Sequence, residues 1–285
     1  MIINVNWRRL LLGEFSLRRV IFSLLFIYAC LTIYAYFLTD GLIFLPRPSS
    51  YGNVQELVGT KEQGLRLNSS NNNQIAAVYL PKPGANYTIL HSHGNAEDLG
   101  DILFILRKIQ GLGFNVFAYD YQGYGQSGGT PSEINAYADI NTAYNYLTQN
   151  LQIPAKQILI YGRSIGSGPS VDLASRQPVG GLILESPFLS ISRFLANFNI
   201  FPFDKFPNLA KIKQVRSPVL VMHGRKDQVI PFIQGEELYN AANPPKQNLW
   251  IDNADHNDFI DEAGEKYDRS MTEFQVLARQ HGATS

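Results

Sequence analysis

The chain has 285 residues, 45% of them hydrophobic and 17% charged, and a formal net charge of zero. Charged residues fall below the roughly 25% usual in soluble domains, and without a basic excess there is no field to gather nucleic acid. The single cysteine, Cys30, lies in an apolar run, which excludes an intramolecular disulfide, a cysteine-based metal cluster and a thiol nucleophile in the globular part.

Residues 20–38 carry no charge and are rich in Leu, Ile, Phe and Tyr, long enough as a helix rising ~1.5 Å per residue to cross a ~30 Å hydrocarbon layer. Arg8, Arg9, Arg18 and Arg19 precede this run and only Arg47 follows it closely. That asymmetry predicts a cytoplasmic basic segment over 1–19, a single-pass anchor over 20–38 and a globular domain on the non-cytoplasmic side. The Tyr34-Ala35-Tyr36-Phe37 stretch lacks a small-x-small cleavage pattern, so the anchor is read as uncleaved. Pro46 and Pro48 stop the helix and mark a linker over 39–53, leaving 54–285 as one domain.

The domain opens with short strand signals at 54–58 and 65–67, a polar loop at 68–74 and a strand at 75–80, an antiparallel opening. Beyond it, apolar runs at 87–91, 115–119, 157–161, 181–185, 219–223 and 249–251 alternate with helical patterns at 99–110, 134–151, 169–176, 235–242 and 258–279. This alternation predicts an α/β fold, a mostly parallel sheet of about eight strands with helices on both faces. In such sheets ligands bind beyond the carboxyl ends of the strands, so candidate residues belong just past strand ends.

Gly162-Arg163-Ser164-Ile165-Gly166 follows one strand and precedes a helix. This is G-x-S-x-G in the strand-turn-helix context that lifts a serine oxygen above a sheet. A serine hydroxyl needs a base to take its proton and a group to orient that base. His256, after the last strand, is the candidate base, and Asp227, after the strand ending near His223, the candidate acid, with Asp252 and Asp255 as substitutes. The order Ser, Asp, His is that of α/β-hydrolases. The Ile165 N–H, together with that of Asn95 or Ala96 in His93-Gly94-Asn95-Ala96, is placed to receive an oxyanion. The His91-x-His93 pair has no third ligand at a recognisable spacing, so no metal is expected. The glycine-rich run 120–129 lacks the Gly-Lys-Ser/Thr ending of a phosphate-binding loop and reads as structural, and no cofactor is implied. The insertion at about 187–216, with Phe188, Phe194, Phe198, Phe201, Phe203 and Phe206, reads as a small lid whose aromatics either line an acyl pocket or simply pack.

Several segments together resemble the protein-depalmitoylase branch of the α/β-hydrolase domain-containing proteins. They are His93-Gly94-Asn95-Ala96-Glu97-Asp98-Leu99-Gly100, Tyr119-Asp120-Tyr121-Gln122-Gly123-Tyr124-Gly125, Tyr137-Ala138-Asp139-Ile140, Tyr161-Gly162-Arg163-Ser164-Ile165-Gly166, Val171-Asp172-Leu173-Ala174-Ser175-Arg176 and His256-Asn257-Asp258. The resemblance implies a triad of Ser164, Asp227 and His256 with backbone donors near Asn95 and Ile165. It departs at the N-terminus, where that branch carries a cysteine cluster and this chain has Cys30 alone. The expectation is a membrane-anchored serine hydrolase forming an acyl-enzyme from an ester or thioester. Its substrate would be a small or lipid-like acyl compound or an acylated protein, with no nucleic-acid partner. A prolyl-peptidase-like serine peptidase and a non-catalytic binding protein of the same fold are the rivals.

Overall fold

A computed structural model describes residues 17–196 and 202–284. Arg8 and Arg9 of the basic segment, and Phe198 and Phe201 of the lid, lie outside these described residues. Helix α1 (Leu17–Ile43) leads into a short helix α2 (Val54–Leu57), then β1 (Gln63–Asn68), β2 (Gln74–Leu80) and β3 (Thr88–Ser92). Next come α3 (Leu99–Gly111), β4 (Asn115–Tyr119), α4 (Glu133–Asn145), β5 (Ile158–Arg163), α5 (Ser167–Arg176) and β6 (Gly181–Glu185). The insertion at about 187–216 contributes α6 (Ile191–Ala196) and α7 (Asn208–Lys211), and the chain ends with β7 (Val219–Gly224), α8 (Phe232–Ala241), β8 (Lys246–Ile251), α9 (Phe259–Ala263) and α10 (Glu265–Thr284).

The eight strands form one sheet in the order β1-β2-β4-β3-β5-β6-β7-β8. The pairs β1–β2 and β2–β4 are antiparallel and the rest are parallel. Successive side chains of a strand point to opposite faces, and β5 uses both. Leu159 and Tyr161 pack with Leu99, Ile102 and Leu106 of α3 and with Tyr267, Met271 and Phe274 of α10. Ile158 and Ile160 join Ile140 and Ala143 of α4 and Val171 and Leu173 of α5. Burial on both faces is why these strands read as continuous apolar runs rather than alternating ones.

Three local expectations are corrected. Residues 54–57 are helical, because the Asn53 side chain accepts the Gln55 N–H and caps a turn there. The C-terminal helix is two, separated at Gly264, whose φ of 50° an L side chain rarely adopts. The apolar helix runs five residues past Leu38, since no proline intervenes before Pro46, so the first part of the expected linker is helix. Among the described residues, α1 is the one helix long and apolar enough to cross a membrane, with a mean hydropathy of 2.1 over its best stretch.

Candidate active site

Every residue singled out for chemistry lies just beyond the carboxyl end of a strand: Asn95 after β3, Ser164 after β5, Asp227 after β7 and His256 after β8. The turn at Ser164 is tight. Ser164 has a φ of 52°, in the left-handed region. A Cβ on Gly162 would meet the Gly166 carbonyl oxygen at 2.5 Å, and one on Gly166 the Ser92 carbonyl oxygen at 2.2 Å. Only glycine lets strand and helix approach this closely, and that approach turns the serine side chain outward above the sheet.

The Ser164 hydroxyl lies 3.0 Å from His256 Nε2, and His256 Nδ1 lies 2.8 Å from Asp227 Oδ2. These three side chains form one hydrogen-bonded row although 92 and 29 residues separate its pairs along the chain. Asp227 Oδ1 accepts the N–H groups of Val229 at 2.9 Å and Ile230 at 2.7 Å. Burial works against the charged carboxylate, but hydrogen bonds from His223, His256 and the Ile230 N–H outweigh it and hold Asp227 well below the usual carboxylate range. The acidic alternatives are engaged elsewhere: Asp252 is exposed and pairs with Arg225, and Asp255 accepts the N–H groups of Gln228 and His256.

Ser164, Ile165, Asn95, Ala96 and His256 share a cavity of about 610 Å³. Of the two N–H groups proposed on the β3 loop, that of Ala96 is already given to Asn95 Oδ1 at 3.0 Å. From the insertion at about 187–216, Phe188 and Phe194 line the cavity, whereas Phe206 is fully buried against Phe44, Tyr137 and Phe188. The described aromatics of this insertion therefore divide between lining and packing. His91 is buried with both ring nitrogens unpartnered, stacked 4.8 Å from Tyr161, and burial, with His93 and Arg163 nearby, pushes its pKa down to about 3. No group of side chains able to hold a metal ion occurs among the described residues.

The α/β-hydrolase domain-containing protein 17B of Xenopus tropicalis is 44% identical to this chain over 194 residues, covering 67% of each chain. Its human counterpart is 43% identical over 194 residues with the same coverage. The chain belongs to the α/β-hydrolase domain-containing protein 17 family. The Caenorhabditis elegans relative aho-3 is 44% identical over 193 residues, 65% of this chain and 57% of that protein. The serine aminopeptidase S33 family, Hydrolase_4, matches residues 84–208. Among solved structures, the Pyrococcus furiosus esterase Pf2001 superposes with a TM-score of 0.68 at 20% identity, over 83% of this chain and 100% of that one. GrgF of Penicillium sp. sh18 does so at 0.65 and 13%, over 78% and 99%. At such identities the likeness is one of fold. The protein is an α/β-hydrolase.

Three features of this family member escape the sequence reading. Arg163, the second residue of the serine pentapeptide, is buried and joins three elements. Its Nε meets Glu185 Oε1 at 3.2 Å and its Nη1 meets both Glu97 oxygens at 2.9 Å. Its Nη2 donates to the His256 carbonyl at 3.2 Å and to Asn257 Oδ1 at 3.0 Å. A charged residue at the end of a buried strand, paired in register with Glu185, was the available signal. His223 sits fully buried with Nε2 3.1 Å from Asp227 Oδ2 and 2.9 Å from the Ile230 carbonyl, a second support for the carboxylate. The end of α1 and the residues just after it are the third: Leu42, Ile43, Leu45 and Arg47 line the same cavity as Ser164.

Proposed function

We propose that the protein is a membrane-anchored serine hydrolase that cleaves carboxylic ester or thioester bonds by acyl transfer to Ser164 and then to water. The observation that carries this reading is the Ser164–His256–Asp227 row, with contacts of 3.0 and 2.8 Å, opening on a cavity half of whose lining residues are Leu, Ile, Val or Phe. In the first step Ser164 Oγ attacks the carbonyl carbon while His256 Nε2 takes its proton. The carbonyl oxygen becomes an anion facing the N–H groups of Ile165 and Asn95, each such donor being worth ~10²–10³ in rate. His256 returns the proton to the departing alkoxide or thiolate, leaving an acyl-enzyme. Water, deprotonated by the same imidazole, attacks it and releases the acid and free Ser164. Asp227, held ionised, fixes the imidazole tautomer and offsets its charge while it carries the proton.

The apolar α1 supports the membrane part of the reading, and the excess of arginines before it supports a non-cytoplasmic catalytic domain. A fluorophosphonate probe should label the purified protein at Ser164, and Ser164→Ala should remove the label. A folded wild-type protein that resists the probe would refute the reading. The S33 match favours one rival, a serine peptidase. Matched amide and thioester substrates separate the two, and the present reading expects the thioester to be turned over and the peptide amide to be left intact.

A further inference from the structure

The end of α1 is tied to the candidate active site by a set of specific contacts. Asp40 in its last turns pairs with Lys205 at 2.6 Å and accepts the Glu133 N–H at 3.2 Å, and Lys205 is 3% exposed. Ile43 and Phe44 are buried in the domain core. The Ile43 carbonyl accepts from Asn95 Nδ2 at 2.6 Å, and the Leu45 N–H lies 2.9 Å from both Asn95 Oδ1 and the Tyr124 hydroxyl. Farther on, Ser50 donates its N–H to Asp98 at 2.8 Å. The hydrocarbon-length run and the cavity wall are thus one continuous, anchored stretch of chain.

The side chains along this stretch face two ways. Ile43 is nearly enclosed, whereas Leu42 and Leu45 are 62% and 55% exposed and still line the cavity. Phe194 and Val229, also cavity residues, are 39% and 46% exposed. The exposed lining at the rim is therefore apolar at Leu42, Leu45, Phe194 and Val229 and polar at Arg47, Asp101 and Asn257. From Leu38, the end of the uncharged run, to Leu42 is four residues, ~6 Å along a helix axis. A rim that close to the hydrocarbon layer opens in the membrane interface rather than in bulk water.

We propose that the C-terminal end of the membrane helix is the acyl-chain wall of the site. Leu42, Ile43 and Leu45 set the length of chain accepted, and the chain of a bilayer-embedded substrate passes along α1 to Ser164 without crossing water. This rests on the reading of Ser164 as nucleophile and of α1 as anchor. It names the substrate class as one whose acyl chain sits in the bilayer with its carbonyl at the interface. A chain that passes from lipid to this wall stays in apolar surroundings throughout, so its methylenes are spared the exposure to water that a path through solvent would cost.

The test uses the full chain reconstituted in phosphatidylcholine vesicles and two probes of the same warhead, an ethyl and a dodecyl fluorophosphonate, read as the ratio of their labelling rates at Ser164. Leu42→Trp and Leu45→Trp, which narrow the path, should each lower the dodecyl-to-ethyl ratio about tenfold or more. Leu42→Ala and Leu45→Ala, which cannot obstruct the path but remove wall contacts, should shift the dodecyl-to-ethyl ratio away from the wild-type value without the tenfold fall. Phe104→Trp, at an exposed apolar residue of α3 outside the cavity, should leave the ratio at the wild-type value. Ratios unchanged in all four leucine variants, with wild-type labelling intact, would overturn the helix-wall proposal and leave the serine hydrolase standing. Failure of the ethyl probe to label the folded wild type would remove both.

Discussion

Arg163 offers the sharpest check on how the site is held. Its guanidinium has two carboxylates, a backbone carbonyl and a side-chain amide oxygen for partners, and it is buried, as is Glu185 at 2% exposure. Burial opposes its charge, but Glu97 and Glu185 more than offset this and raise its pKa above the ordinary arginine value. Arg163→Met leaves Glu185 in the core with the Tyr161 hydroxyl as its hydrogen-bond donor. Removing one partner of a buried pair costs about 3–5 kcal/mol, and for a domain of this size that lowers Tm on the order of 10 °C. The loop carrying His256 also loses two tethers, and a displacement near 1 Å of a reacting group costs about 10²-fold in rate. Thermal unfolding in detergent, with turnover of a nitrophenyl ester, measures both. Arg163→Lys should recover part of the stability and little of the rate, since an ammonium keeps the charge without the planar fork that spans Glu97, Glu185 and Asn257. Arg163→Met combined with Glu185→Gln should regain stability without rate. If Arg163→Met unfolds within about 2 °C of wild type and turns over within about threefold of it, this account of the arginine is wrong.

The remaining predictions concern strain and protons. Ser164 pays for its left-handed backbone, a conformation costing about 1–3 kcal/mol outside glycine, so Ser164→Gly should unfold at a higher temperature than Ser164→Ala while both lack activity. Asp227→Asn should lower kcat about 10⁴-fold by admitting the wrong imidazole tautomer, measured on the same ester. Because the folded pKa of Asp227 is depressed, its contribution to stability is present above the unfolded value of ~3.9 and is lost as pH falls through the folded one; Asp227→Asn should show a shallower acid transition. Asp120 runs the other way: burial pushes its pKa up to about 7, against the bond from Tyr51. Between ~4 and 7 the unfolded carboxyl is ionised and the folded one protonated, so this group makes stability fall as pH rises across that window and level off above it. Tm measured against pH should lose that slope in Asp120→Asn, and Tyr51→Phe, which deletes a bond favouring the anion, should extend it to higher pH.

What the sequence made legible follows the range of the forces involved. Strand runs such as Ile158-Leu159-Ile160 are apolar because both sheet faces are covered, and the glycines of the serine pentapeptide are demanded by backbone contacts within that turn. Both signals are local, so both can be read in order along the chain. The helix at 54–57 was missed because a single side-chain cap at Asn53 outweighed a β-branched, apolar start. Ala96 was a reasonable donor by spacing, and only the placement of the Asn95 amide, bonded also to Leu45 and Tyr124, shows its N–H engaged. The role of Arg163 needed Glu97, Glu185 and Asn257 brought together from 66, 22 and 94 residues away. No pattern of period 2 or 3.6 encodes that meeting.

The same distinction explains why the stretch after the apolar run looked like a linker. Pro46 and Pro48 do end a helix, and prolines in a polar context ordinarily mark a flexible connection. Here the chain is held by donors and acceptors that residues 42–51 do not advertise: the carbonyl of Ile43, the N–H of Leu45, the N–H of Ser50 and the hydroxyl of Tyr51. Two of these end on Asn95, whose own N–H faces the developing oxyanion in the proposed mechanism. The others end on Asp98 and Asp120, which flank the start of α3. A pull on α1 would meet the Asp40 contacts with Lys205 and Glu133 first and the Asn95 loop next, so under the proposed mechanism the placement of α1 and the rate would be linked through the Asn95 side chain. An anchor evolved only to keep a hydrolase near a membrane would have no need of those bonds, because a loose tether of the same length confines the domain equally well.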